Sequence, residues 1–213
     1  MQFRISILSR AVVVGLLLFA SIATGLAEDR PQADARRDAL REWQNLANGR
    51  TEFEIADPAL VPKPLALAIE QSDCRYKDDI QHRPIRIVRV ENQRLAIVFC
   101  RFSVVGSDMV FDLDNLQKPK VLAFPHPASK GGFGTTDLPG AITWKKEAGV
   151  LEAEPVTDLA CTWRTRYTYR LDKSFAGITF VIVRIQVNKN ECRQDEWLTV
   201  WEASPWPEQP KSP

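Results

Sequence analysis

The spacing of apolar residues divides the chain near residue 85, with helical spacing before that point and strand spacing after it. A first, longer helix is predicted between Pro31 and Asn48 because apolar residues recur there every three or four positions, at Ala35, Ala39, Leu40, Trp43 and Ala47. A second, short helix is predicted from Pro64 to about Ser72, since proline suits the first turn of a helix and apolar residues follow it closely.

After residue 85, short apolar runs and strict alternation predict about nine strands. Met109, Phe111 and Leu113 alternate with aspartates, as in a half-exposed strand. The clearest long hairpin joins residues 162–171 to 178–187, and the other predicted strands cover 85–90, 95–105, 120–124, 141–146, 150–153 and 196–202. The pattern predicts a mainly β (α+β) fold, an antiparallel sandwich or barrel of about nine strands with two short N-terminal helices.

Residues 1–27 have the three parts of a secretory signal peptide. Two arginines precede an apolar run at residues 11–20, and Gly25-Leu26-Ala27 places small residues at a cleavage site. An uncleaved membrane anchor is the alternative, but the apolar run is short against the roughly 20 residues that span a bilayer. We therefore expect cleavage after Ala27, no transmembrane segment in the remaining chain, and a periplasmic or secreted protein.

The remaining chain is predicted to form one domain. A helical N-terminal segment, residues 28–84, would pack on the sheet of a β-rich region, residues 85–204, and the proline-rich residues 205–213 would be a disordered tail. Lys and Arg number 28 against 27 Asp and Glu, and cleavage removes two arginines, which leaves 26 against 27. A net charge of about −1 gives no general attraction to nucleic acid or to anionic membranes, so we expect no nucleic-acid partner.

The four cysteines of an exported chain predict two disulfides, for which three pairings are possible. Cys161 and Cys192 lie nearly symmetrically about a predicted turn at residues 172–177, so the hairpin would bring them together. That pairing leaves Cys74 to bond with Cys100. A zinc site would need Cys-x-x-Cys or clustered histidines, which the sequence lacks, so we expect no metal and no cofactor.

The most specific motif closes the β-rich region: Cys192-Arg193 is followed by Trp197-Leu198-Thr199-Val200-Trp201-Glu202-Ala203. With the apolar strand at 94–100 and the segment 168–175, it resembles a family of secreted Gram-negative proteins known only as a domain of unknown function. The resemblance covers roughly residues 85–204, although the family's Asp-Gly turn is Asp172-Lys173 here. It implies an envelope protein and supplies no catalytic residues.

Catalytic patterns are weak in this chain. His82 and His126 are the only histidines, and no Gly-x-Ser-x-Gly elbow accompanies them, so we interpret both as surface residues. The glycine-rich loop 131–136 lacks the strand, helix and Lys-Ser or Lys-Thr pair of a phosphate cradle, and a flexible connection is favoured. Paired carboxylates could hydrolyse glycosides across a cleft, and the candidates are Glu147, Glu152, Glu154 and Asp158.

The predicted strand at 162–171 carries the first candidate binding surface. A period of two places Arg164, Arg166 and Arg170 on one face, with Tyr167 and Tyr169 on the other. Arginine forks suit carboxylates and phosphates, so this face could bind an anionic ligand or partner. The alternative is a solvated face whose arginines pair with Glu or Asp on neighbouring strands.

The last predicted strand offers a second candidate surface. Trp197 and Trp201 are predicted to share one face, where they could bind sugar rings, although tryptophans at strand spacing usually pack in a core. We favour a non-enzymatic envelope protein that binds a partner protein or an anionic glycan or lipid, because the chain is predicted to be exported, disulfide-bonded and β-rich and lacks a metal or nucleophile pattern. The alternative is a hydrolase acting on envelope material.

The cysteine pattern gives a first testable prediction. We expect the exported protein to resist thiol alkylation completely, because all four cysteines would be oxidised. Mass spectrometry of non-reduced, alkylated protein checks this, with a reduced sample as the control. Four alkylated cysteines would contradict the prediction.

Overall fold

The computed structural model describes residues 30–102, 105–128, 131–155, 164–174, 177–188 and 196–204. It has two α-helices, α1 (Arg30–Ala47) and α2 (Lys63–Gln71), both close to their predicted bounds. Two 3₁₀ turns, Pro58–Leu60 and Lys146–Ala148, complete the helical elements. Neither α-helix in this part of the chain has the length and hydropathy that a membrane span requires.

The described residues contain twelve strands rather than about nine, and they confirm the mainly β antiparallel fold. The strands are β1 (Phe53–Ile55), β2 (Ile85–Val90), β3 (Gln93–Phe102), β4 (Val105–Asp112), β5 (Lys120–Val121), β6 (Phe124–Pro127), β7 (Phe133–Thr136), β8 (Ala141–Lys145), β9 (Val150–Glu154), β10 (Arg164–Ser174), β11 (Gly177–Asn188) and β12 (Leu198–Glu202). Three of them, β1, β6 and β7, were not predicted, because they are short and β6 contains two prolines.

The strands form two five-stranded sheets and one hairpin, arranged as a sandwich without a closed barrel in the described part of the chain. The first sheet has the order β1-β2-β3-β4-β5, the second has the order β12-β11-β10-β9-β8, and β6 pairs only with β7. Since β1 pairs with β2, the N-terminal segment contributes a strand to the first sheet.

The first sheet is buried on both faces, so β3 is apolar throughout its middle. Its residues Ala96, Val98 and Cys100 pack with α1 and α2, which contribute buried residues such as Trp43 and Leu65. The alternate residues of the same strand face the second sheet, in a core that also contains Phe124, Tyr169, Leu171 and Phe180. The helices, the first sheet and the second sheet therefore form three layers.

One predicted disulfide lies in the described region. Cys74 and Cys100 are bonded, and their Cα atoms lie 4.9 Å apart. The bond ties the segment after α2 to β3, and both cysteines are buried in the helix-side core. Cys161 and Cys192 lie outside the described residues, as do residues 1–27, for which a signal peptide was predicted, and residues 205–213.

A buried carboxylate joins the two sheets. Asp108 on β4 accepts hydrogen bonds from the Ile142 amide at 2.7 Å and from Arg86 at 3.1 Å, and Arg86 also donates to the Ile142 carbonyl at 2.9 Å. Burial raises the pKa of Asp108, although the Ile142 amide and the Arg86 charge act in the opposite direction. Beside it, Gly140 has φ of 107°, and a Cβ there would lie 2.2 Å from the Glu154 carbonyl oxygen, so only glycine fits.

Replacing Asp108 with Ala should lower the free energy of unfolding by about 3 kcal/mol, because Arg86 and the Ile142 amide both lose their acceptor. Denaturant unfolding measures the effect. The exposed residue Asp78 provides the matched control, and Asp78→Ala should change stability by less than about 0.5 kcal/mol. Equal costs for the two variants would contradict this role for Asp108.

Candidate functional site

The outer face of the second sheet carries the candidate site. Along β10, Tyr169 and Leu171 are buried against the first sheet, which leaves Arg164, Arg166 and Arg170 on the opposite, outward face. The register of β10 against β9 is regular from Tyr167 to Arg170, so the alternation predicted from the sequence is confirmed there. The three arginines nevertheless have different surroundings.

Arg164 and Arg166 share one carboxylate. Glu154 at the end of β9 receives a hydrogen bond of 2.6 Å from Arg164, and Arg166 donates two more at 2.6 and 2.9 Å. Burial opposes ionisation of Glu154, but the hydrogen bonds and charges of both arginines outweigh it and lower the pKa of the carboxyl. These two arginines therefore belong to a cross-strand ion cluster, which is the alternative that the sequence left open.

Trp197 covers this ion cluster. The guanidinium carbon of Arg166 lies 3.8 Å from the centre of the indole ring, and that of Arg164 lies 5.0 Å from it. Cation–π contacts of this length are attractive, and they hold the ring on the outward face of the sheet. Trp197 thus packs on the two arginines, and the ring face that contacts them is not open to a sugar ring.

The prediction that Trp197 and Trp201 share a face is wrong. The pairing of β12 with β11 shifts between Ile185 and Gln186, and Val200 is the extra residue of the bulge. A bulge reverses the alternation of side chains, so Trp201 lies opposite Ile185, on the inward side. The two tryptophans therefore cannot form one aromatic strip.

A groove of about 630 Å³ lies on the outward face beside the ion cluster. Val150, Val181 and Val183 give it an aliphatic floor. Its flanks carry two ion pairs, which are Lys145 with Glu152 at 3.5 Å and Arg184 with Glu202 at 2.7 Å.

Two polar groups in the groove have no partner among the described residues. The buried Thr168 hydroxyl makes no hydrogen bond, and the exposed Arg170 guanidinium makes neither a hydrogen bond nor an ion pair. Residues two apart on one strand face lie about 6.5–7 Å apart, so one ligand can reach both groups. Arg170 is thus the one member of the predicted arginine row that is open to a ligand.

The residues around the hydrolase candidates do not form a catalytic constellation in the described structure. His126 on β6 lies against Gly134, and its buried Nδ1 has no hydrogen-bond partner. Glu147 and Glu152 both line the groove, but Glu152 is paired with Lys145. Asp158 lies outside the described residues, and these contain no cluster of three or more His, Cys, Asp or Glu that could hold a metal.

The sequence did not predict the groove itself. Its walls combine β8, β9, β11 and β12, and their sequence gave no sign that they adjoin Arg170. The hairpin of β10 and β11 could have indicated part of the groove, because outward residues that pair across it include Thr168 and Arg184. Placing these two residues side by side requires the register of β10 against β11, including its bulge, and the sequence pattern does not show that register.

Comparisons with protein-family models, with curated proteins and with solved structures found no match to this chain. The resemblance to a secreted Gram-negative family therefore stays a prediction.

The ion cluster gives a prediction about acid stability. Glu154→Gln should destabilise the protein at neutral pH, and the difference from the unchanged protein should shrink as the pH falls below the ordinary glutamate pKa of 4.5. The reason is that a carboxyl with a lowered pKa stabilises the folded state while ionised, and this contribution is lost as the pH falls through its folded-state pKa.

Denaturant unfolding at neutral and acidic pH measures this difference. Glu147→Gln is the matched control, since Glu147 is exposed in the same region of the chain. A loss of stability that stays constant over the acid range would show that Glu154 acts through packing and not through its charge.

Proposed function

We propose that this protein is a non-enzymatic binding protein of the cell envelope, periplasmic or secreted, and that its groove takes an anionic component with an aliphatic part. The observation that carries the proposal is that the Arg170 guanidinium and the neighbouring buried Thr168 hydroxyl have no partner in the part of the chain that the structure describes. A buried polar group without a partner is costly, so a ligand oxygen at this position would be favourable.

The groove's surroundings select the class of ligand. Arginine favours phosphate and carboxylate, while Val150, Val181 and Val183 offer aliphatic contacts to the neighbouring part of the molecule. A volume of about 630 Å³ suits a small amphiphile. An anionic lipid headgroup with the first part of its chains has the required negative charge, aliphatic surface and size.

The Cys74–Cys100 disulfide supports the proposed location. Structural disulfides persist in oxidising compartments such as the periplasm and the extracellular space. The predicted signal peptide leads to the same compartments, where anionic lipids and phosphorylated glycans are available as ligands.

Binding can be tested with two short-chain lipids that differ only in their headgroup, dihexanoyl phosphatidic acid and dihexanoyl phosphatidylcholine. The phosphatidic acid should bind more tightly, and Arg170→Gln should weaken it by about tenfold because a charge-assisted hydrogen bond is lost. Calorimetric titration measures the affinity. Binding should also weaken as salt rises, since exposed charges are screened.

Arg41→Gln provides the matched control, since Arg41 is an exposed arginine on α1, away from the second sheet. It should leave lipid affinity unchanged, and neither variant should alter the melting temperature appreciably. Equal affinity of the unchanged protein and Arg170→Gln for phosphatidic acid would refute the proposal. Release of hexanoate or of phosphate during the titration would support the hydrolase instead.

A further inference from the structure

Two arginines lie directly opposite each other on the β2–β3 hairpin. Arg89 pairs with Arg94 in the register, and both side chains are exposed. Side chains at opposite cross-strand positions have Cβ atoms about 4.5–5.5 Å apart, and like charges at that distance destabilise the pair. No carboxylate in the described residues forms an ion pair with either arginine to offset this repulsion.

The two guanidinium groups are held differently. Arg89 donates from Nε to the Glu91 carbonyl at 3.1 Å and from Nη2 to the Asn92 side-chain oxygen at 3.3 Å. The tight turn between the strands thus fixes its orientation, with Glu91 in the left-handed region at φ of 54°. The Arg94 side chain makes no hydrogen bond within the described residues and is available to a ligand.

Both arginines line a pocket of about 290 Å³ that is separate from the groove. Its other polar groups include Thr51, whose hydroxyl has no hydrogen-bond partner in the described structure. The pocket lies on the helix side of the first sheet, because Arg89 follows Ile85 and Ile87 along that face of β2. The second sheet, with its groove, covers the opposite face.

We propose that this pocket binds a phosphate group, either inorganic phosphate or the end of a phosphate monoester. A fixed and a free guanidinium on adjacent strands can contact two oxygens of one tetrahedral anion, and the Thr51 hydroxyl can donate to a third. The pocket of about 290 Å³ is several times larger than a phosphate ion, so it also has room for the small alcohol part of a monoester. Bound phosphate would also offset the repulsion between Arg89 and Arg94.

Asp114 on the same pocket decides between phosphate and sulfate. Asp114 lines the pocket, and its carboxylate forms no ion pair with Arg89 or Arg94 within the described residues. A phosphate with a second pKa near 6 can keep a proton and donate it to this carboxylate. Sulfate carries no proton at neutral pH, so the same carboxylate repels it.

The test is a titration of the whole protein with inorganic phosphate, sulfate and glycerol 3-phosphate at low ionic strength. Amide resonances of Thr51, Asn92 and Arg94 should shift with phosphate and much less with sulfate. Arg94→Gln should weaken phosphate binding by about tenfold or more, because a charge-assisted hydrogen bond is lost. Asp114→Asn should reduce the preference of phosphate over sulfate.

The groove variant Arg170→Gln is the matched control and should bind phosphate in this pocket as tightly as the unchanged protein. Tighter binding of glycerol 3-phosphate would assign the pocket to monoesters, and tighter binding of inorganic phosphate would assign it to the free ion. The proposal fails if these amides do not respond to phosphate, or if Arg94→Gln binds it with unchanged affinity. Equal binding of sulfate and phosphate would overturn the role of Asp114.

Discussion

Asp108 links the two sheets, and the position of the outward face of the second sheet depends on that link. Its carboxylate lies on the first sheet, yet it accepts the amide of Ile142 on the second, while Arg86 bonds to both residues. Gly140 lies just before β8, two residues ahead of Ile142, and its missing Cβ lets the backbone approach Glu154. Because Glu154 in turn holds Arg164 and Arg166, the position of the outward ion cluster follows from this buried junction.

The charges of this protein fall into two groups with different consequences. Asp108 and Glu154 are each held by arginine, and in both cases the ion pair joins two different strands. Arg170 and Arg94 have no such partner among the described residues, and each lies in a cavity with a polar neighbour. Paired arginines stabilise the fold, whereas the unpaired ones are the candidates for ligand binding.

Local patterns predicted the helices, most strands and the outward face of β10, because each depends on spacing within one segment. They failed where neighbouring strands decide the outcome. Glu154 could not be assigned to Arg164 and Arg166 without the register of β9 against β10, and the bulge at Val200 placed Trp201 on the unexpected face. The short strands β1, β6 and β7 form through pairing partners, and their own sequences carry too little alternation to show them.

The central claim is that the two sheets form one cooperative unit through Asp108 and the core between them. Native-state hydrogen exchange tests this most directly, because it reports the free energy of opening for each strand separately. The account predicts that the slowest amides of β3 and β10 exchange with the same opening free energy, equal to that of global unfolding. Exchange of the β10 amides through a much lower-energy opening, with β3 still protected, would show that the second sheet detaches alone and would contradict the claim.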